Sequence, residues 1–279
     1  MAGTLYLVPT PIGNLGDLSP RAAETLAAVD FIAAEDTRVS IKILNHLGLK
    51  KPMVSYYRHN TETSGPQILQ RLLAGEDCAL VTDAGTPAIS DPGEELVALC
   101  VEAGVMVVSL PGPCALVTAL AASGLPTGRF TFEGFLAMNK KNRREHLDSL
   151  RGETRTMVFY EAPHKLVATL SDLAETFGTD RRVALCRELT KLHEEVIRTT
   201  LGQALERYRE QPPPRGEFVL VVEGAAPVED APALTLEQAV ERVCILYQEQ
   251  NLPMKDAARQ VAAETGFQKK ELYRLAVQR

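Results

Sequence analysis

Three times within residues 1–115 an apolar run of strand length gives way to a loop of glycine and proline, and then to a helical pattern. Apolar runs fall at Thr4–Pro9, Phe31–Ala34, Cys78–Val81 and Val105–Leu110. Helical patterns lie between them near Arg21–Val29, Val39–Leu47, Gln67–Ala74 and Glu94–Ala103. That alternation calls for a mainly parallel sheet, because parallel neighbours must be joined by a crossover, usually a helix. One helix is punctuated at both ends: Asp91 as N-cap, Pro92 at the first position, Glu94 and Glu95 on the dipole, and Gly104 past the end.

The texture changes after PGPCALVTALAASGLP. Strand-like runs at Arg129–Phe135, Arg155–Tyr160, Arg182–Cys186, Glu195–Thr200 and Glu217–Val222 enclose helices near Arg143–Leu150, Lys165–Phe177 and Leu201–Glu210. Some of these connections are too short for parallel crossovers, which predicts a mixed sheet. AAPVEDAP at 225–232 reads as a linker. Three short helices follow, Leu236–Gln248, Met254–Glu264 and Lys269–Val277, the last two joined at Thr265–Gly266 like a helix-turn-helix. The expected architecture is α/β: residues 1–115 with a parallel sheet, 116–226 with a mixed sheet, and 227–279 as a helical appendage.

Hydrophobic residues make up 45% of the 279 and charged residues 24%, enough to bury two ordinary cores. No apolar run reaches membrane-spanning length. The N-terminal MAGTLYLVPTPIG lacks a basic region and is broken by prolines, so a signal peptide is not expected. Five scattered cysteines, Cys78, Cys100, Cys114, Cys186 and Cys244, form no CxxC pair and read as reduced thiols of a cytoplasmic protein. The histidines lack ligand spacing, so no metal is expected. The net charge of −6 favours a small-molecule enzyme over a nucleic-acid binder unless positive charge is local. NKKNRR at 139–144 supplies such a run, although charge runs are also ordinary solvated helix faces.

The loops VPTPIGNLGDLSP (8–20), LVTDAGTPAISDPG (80–93) and LPGPCA (110–115) carry the chemistry. Open α/β sheets hold ligands at the carboxyl ends of their strands, and side-chain-poor loops let backbone approach a ligand closely. Each is also compatible with a plain connection, and the three together say more than any one. No GxGxxG or GxxxxGK[ST] is present. Asp91, Glu94 and Glu95 would repel a phosphate. A ligand with hydroxyls and a cationic centre fits better, with Asp83 placed to meet an amine or hydroxyl.

LYLVPTPIGNLGD, FIAAEDTR, TDAGTPAISDPG, PGPCALVTALAASGLP, FEGF, FYEAPH, RELTK and GEFVLVVEG, in order from about residue 4 to 224, closely resemble the tetrapyrrole methylase family. Within it, they resemble the bacterial enzymes that methylate ribose 2′-oxygens of 16S rRNA. The resemblance implies a two-domain class III methyltransferase, a homodimer, S-adenosylmethionine in the cleft between the domains, and a cytidine of the decoding centre as substrate. It assigns the cofactor to Pro11, Asp83, Gly85, Thr86, Pro111 and Ala115, with Pro163, Leu189 and Gly216–Phe218 closing over the adenine. Thr82 and Ala88 stand where relatives often read SDAGTPG, and both are expected to be mild changes.

Methyl transfer needs the 2′-oxygen held in line with the sulfonium methyl and an acceptor for its proton. The first candidates are Glu35, Asp36 and Arg38, with His59 and Glu133 as further bases and Arg58 as a phosphate grip. Each is equally at home in a structural ion pair. Lys140, Lys141, Arg143 and Arg144 are the expected RNA contacts. Two other readings stand beside this one: a corrin or porphyrin methylase, and a non-enzymatic RNA-binding assembly factor.

Overall fold

The computed structural model describes residues 1–210, 212, 214–226, 234–249 and 252–278, so the expected linker falls largely outside the described residues. The chain divides into two compact units, Met1–Ala225 and Ala226–Arg279.

The first unit opens with β1 (Thr4–Leu7), α1 (Pro20–Ala28), β2 (Phe31–Ala34), α2 (Thr37–His46) and β3 (Met53–Ser55). It continues with α3 (Thr61–Leu73), β4 (Cys78–Val81), α4 (Glu94–Glu102), β5 (Met106–Ser109) and α5 (Ala115–Ala122). The five strands form a wholly parallel sheet in the order β3-β2-β4-β1-β5. β2 and β4 are buried along their whole length, as parallel strands covered on both faces must be, and read as unbroken apolar runs. β3 gave no such signal, because it is a three-residue edge strand, half exposed. Ser19 caps α1, its Oγ accepting from the Ala22 N–H at 3.1 Å, and Pro20 takes the first position. α3 begins at Thr61, ahead of the expected Gln67, and runs through Pro66. α4 differs from expectation too. It starts at Glu94 behind Gly93, so neither Asp91 nor Pro92 belongs to it.

The rest of the first unit comprises β6 (Phe130–Phe135), α6 (Lys140–Ser149), β7 (Thr156–Glu161), α7 (Leu166–Phe177), β8 (Arg182–Arg187), β9 (Glu195–Thr200), α8 (Leu201–Arg209) and β10 (Phe218–Val222). Their sheet runs β6-β7-β10-β8-β9. β6 and β7 are parallel and every other pairing is antiparallel, the mixed sheet that short connections require. α6, α7 and α8 cover one face through Leu147, Leu166, Leu170, Leu173, Leu201 and Ala204. α5 covers the other: Leu116, Ala119 and Leu120 pack on Val158, Ala184, Cys186 and Val219, joined by Ile12 and Cys114. The loops of the first sheet are thereby fastened to the face of the second.

The second unit is α9 (Leu236–Glu249), α10 (Met254–Thr265) and α11 (Lys269–Val277) around Val240, Val243, Leu246, Val261 and Leu272. No described helix is long and apolar enough to cross a membrane.

Leu220 lies in β10, paired on both sides, and is fully buried. Leu220→Ala is expected to lower unfolding stability by about 3 kcal/mol, read as a lower urea midpoint at unchanged slope.

Candidate active site

The first and second loops are locked together by main chain. Thr10 and Gly85 exchange two hydrogen bonds, each 2.9 Å, N–H to C=O in both directions. The buried Thr10 hydroxyl donates to the Thr82 carbonyl at 3.1 Å. Gly85 holds φ 92, a left-handed conformation in which a side chain is strained, so the bridge needs glycine. The third loop is tied in twice. Thr86 Oγ1 donates to the Pro113 carbonyl at 2.9 Å. Gly112 lies so close to Pro9 that an added Cβ would sit 2.7 Å from the Pro9 Cβ. The result is one cradle made mostly of backbone at the carboxyl edge of the sheet.

Beyond the bridge the second loop is strained. Ala88 and Ser90 hold φ 65 and 66, which non-glycine residues rarely adopt and which costs roughly 1–2 kcal/mol each. Ala88, expected to be a mild replacement for glycine, therefore carries strain. The distortion takes Ser90 toward β6, where an added Cβ on Gly134 would stand 3.7 Å from the Ser90 Oγ. It also sets Asp91 among the other carboxylates of the cleft. Asp91 is half-buried, and burial followed by the charges of Glu35 and Asp83 pushes its carboxyl up to about 7. Burial also raises Glu35 and Asp83 above the usual carboxylate range. Glu35 and Asp83 brace the loops, the Asp83 N–H donating to Glu35 Oε2 at 3.3 Å and the Asp36 N–H to Asp83 Oδ1 at 3.1 Å.

Asp36 and Arg38 are otherwise engaged. Asp36 caps α2, accepting from the Arg38 N–H at 2.8 Å, and the Arg38 guanidinium closes on its carboxylate at 2.6 Å. Those hydrogen bonds hold Asp36 at about 2, far too low for a proton acceptor at neutral pH, and the Arg38 side chain is 89% exposed. Glu35 and Asp91, unlike Asp36, carry carboxyls of raised proton affinity. Glu133 bonds His146 of α6 at 2.8 Å. His59 packs edge-on to Tyr57 in the exposed segment after β3.

The second sheet contributes unevenly. Leu189 is buried in the cluster that holds Ile12, Cys114 and Ala115, so it does join the loops. Its neighbours pass close to the first loop, Thr190 Oγ1 standing 2.8 Å from where a Gly13 Cβ would be. Tyr160 was missed by sequence reasoning; its hydroxyl accepts from the Leu116 N–H at 3.0 Å and fixes the start of α5. Pro163 opens a short 3-10 turn after β7, and Gly216 lies against the Glu188 carboxylate. Phe218 corrects expectation. Its ring is buried on the opposite face of the sheet and meets Tyr208 edge-on at 5.9 Å, so no side chain from it reaches the cleft. Pro11 and Ala115 are half-buried and Pro111 is exposed.

The basic run divides as well. Arg143 turns inward, Nε on Asp172 at 2.5 Å and Nη2 donating to Thr169 Oγ1 at 2.8 Å, while the Thr169 hydroxyl donates to buried Glu161. It is a brace between α6 and α7, not a free cation. Lys140 is exposed, and Lys141 and Arg144 are exposed and only loosely paired with Glu145 and Asp148 at 3.8 and 3.9 Å. A groove of about 570 Å³ runs between α6 and α7, lined by cations and anions alike, among them Lys140, Arg144, Arg151, Asp148 and Glu175. Its mixed charge selects no ligand. No group of histidines, cysteines and carboxylates among the described residues is arranged to hold a metal.

Asp91 keeps its proton in the folded chain up to pH about 7, whereas the unfolded chain releases it in the ordinary carboxylate range. Stability contributed by that proton is therefore lost as pH rises through this window. Asp91→Asn is expected to match the wild type in melting temperature near pH 4 and to exceed it by a few degrees at pH 8. A difference that does not grow with pH contradicts the assignment.

A family model described as Tetrapyrrole (Corrin/Porphyrin) Methylases matches residues 4–205, and one described as RsmI C-terminal HTH domain matches residues 235–279. The chain is 49% identical over 276 residues to the ribosomal RNA small subunit methyltransferase I of Synechocystis sp., covering 99% of this chain and 98% of that one. It is 46% identical over 278 residues to the protein of the same name from Escherichia coli O157:H7, covering 99% and 95%. Among solved structures, the methyltransferase CobJ aligns at TM-score 0.61 with 20% identity, covering 81% of this chain and 95% of that one. Uroporphyrin-III C-methyltransferase from Thermus thermophilus, complexed with S-adenosyl homocysteine, aligns at 0.53 with 19% identity, covering 78% and 97%. At such identities the structural likeness speaks for the fold. With the family model over most of its length and relatives near half-identical from end to end, this chain belongs to the tetrapyrrole (corrin/porphyrin) methylase family.

Proposed function

We propose that the chain transfers a methyl group from S-adenosylmethionine to a ribose 2′-oxygen, at a cytidine of the decoding centre in 16S rRNA of the small ribosomal subunit. The observation that carries the transfer is the three-loop cradle with Glu35, Asp83 and Asp91 gathered at one strand edge. Three carboxylates whose mutual charge and burial raise their proton affinity suit a cationic guest and repel a phosphate. The donor set therefore fits a sulfonium nucleoside. The RNA substrate is supported by the full-length relatives, which carry the name ribosomal RNA small subunit methyltransferase I.

When bound, S-adenosylmethionine supplies a methyl carbon made electrophilic by its sulfonium. Everything else falls to the chain. Backbone of Pro11, Gly85, Thr86, Pro111 and Ala115 forms the cradle, and Asp83 stands at its rim for a hydroxyl or amine. Leu189 gives an apolar wall, and Pro163 and Gly216 complete the proposed contacts. Glu35 and Asp91 remain to take a proton from the attacking hydroxyl, Asp91 with an affinity near neutral pH where a proton acceptor works best. Asp36 and Arg38 act as positioning residues, holding the α2 end against Asp83. Lys140, Lys141 and Arg144 are exposed toward RNA phosphates, the last two in loose pairs with Glu145, Asp148 and Glu175, and Arg143 is left out of that set. We include a homodimer in this reading, since β5 is an open sheet edge with Met106 65% exposed. Five free cysteines suit the cytoplasm.

A small-molecule reading keeps two supports: the solved neighbours include corrin and porphyrin methyltransferases, and this chain's net charge is −6. Incubation with labelled S-adenosylmethionine, unmethylated small ribosomal subunits and a tetrapyrrole acceptor decides. Label on a ribose is expected; label on a tetrapyrrole alone overturns the RNA reading. Affinity for the cofactor should also rise severalfold from pH 6 to pH 8, because a cation binds better to ionised Asp91, with proton release visible by calorimetry in buffers of different ionisation heat. A flat pH profile contradicts the carboxylate assignment.

A further inference from the structure

In the C-terminal unit, α10 stops where Gly266 takes φ 76, its N–H donating to the Ala262 carbonyl at 3.0 Å, and α11 begins three residues later at Lys269. The three-helix core takes Leu272 and Ala276 from α11, four residues apart and so on one face. The opposite face carries Lys270, Tyr273, Arg274 and Val277, all exposed, Tyr273 to 42% and Val277 to 58%.

Two cations four apart on a helix repel and weaken it slightly. Elsewhere in the chain that cost is offset: Lys141 faces Glu145 and Arg144 faces Asp148, each at the same spacing. On α11 it is not. Among the described residues neither Lys270 nor Arg274 forms an ion pair, and an exposed tyrosine sits between them. An uncompensated cation pair flanking an aromatic ring, in a chain of net charge −6, is the chemistry of a polyanion with accessible bases. The deep, narrow major groove of an A-form duplex excludes side chains, so such a face suits unpaired nucleotides of RNA, which offer both a phosphate and a base to stack.

We propose that the Lys270–Tyr273–Arg274 face of α11 docks single-stranded RNA, the two cations holding phosphates and Tyr273 stacking on a base. That the RNA is ribosomal rests on the function proposed above; the docking chemistry does not.

The test uses the full chain and unmethylated small ribosomal subunits, with binding measured across a salt series. Lys270→Glu/Arg274→Glu is expected to weaken binding at least tenfold and to lower the salt slope by about 2, one per phosphate contact. Tyr273→Ala should lose roughly tenfold with the slope unchanged, and Tyr273→Phe should restore wild-type affinity. Melting temperature and cofactor affinity should not move, since these side chains are exposed. Wild-type affinity and slope in the double variant overturn the proposal. So does a variant-induced change of oligomeric state by light scattering, which assigns the face to a second copy, or equally tight wild-type binding to duplex DNA. Loss of RNA binding in the variants of a wild type that labels no ribose upholds the docking face and rejects the proposed function. Ribose labelling by a double variant that binds normally does the reverse.

Discussion

The two-way main-chain bridge between Thr10 and Gly85 is the constraint on which the rest of the cleft depends. It joins loops from β1 and β4, neighbours in the sheet, and uses backbone groups alone, so the geometry is set before any side chain is chosen. The Thr86 hydroxyl then fastens the loop after β5, and α5, leaving that loop, lies on the second sheet. One chain of contacts thus runs from the edge of the first sheet through three loops and a helix to the face of the second. A cleft built this way offers fixed backbone donors and acceptors and is strained at Ala88 and Ser90, where the second loop turns Asp91 inward, and at Glu188 and Thr190 on either side of Leu189. Strain of that kind persists when surrounding structure over-determines it, and it concentrates at functional sites.

Electrostatics follows from this architecture. Parallel strands deliver their loops to one edge, and here three loop carboxylates, Glu35, Asp83 and Asp91, arrive together in partial burial. Burial first, and then the charges of neighbouring carboxylates, raises their proton affinity, and the same acidic surroundings make a cationic guest welcome. Asp36 shows the contrast one residue from Glu35: bonded by Arg38 and by helix N–H groups, it stays ionised and serves structure. Neighbours in sequence take opposite parts because one faces the cleft and the other caps a helix. The acidic cleft also explains how a chain of net charge −6 can treat RNA. The exposed cations proposed for phosphates belong to other elements, α6 and α11.

What was legible in the sequence was local. Glycine and proline punctuation marked the three loops, and apolar runs marked the buried strands. What was hidden depended on direction in space. β10 is buried at every position, so no alternation tells which face Phe218 joins, and its ring went to the far one. β3 is too short and too exposed to register. Asp91 precedes Pro92 and two glutamates, a sound helix start by local rules, but the turn at Gly93 and the two strained residues before it detach it from α4. Arg143 carried a readable sign: it stands four residues before buried Leu147, hence near the inward face of α6.

The most direct measurement is a crystal structure of the full chain soaked with S-adenosylmethionine or a non-reactive sulfonium analogue. The account predicts the nucleoside across the three loops, main chain of Gly85–Thr86 in contact with it and the sulfonium turned to Glu35, Asp83 and Asp91. A nucleoside found instead in the groove between α6 and α7, or clear of residues 83–91, contradicts it.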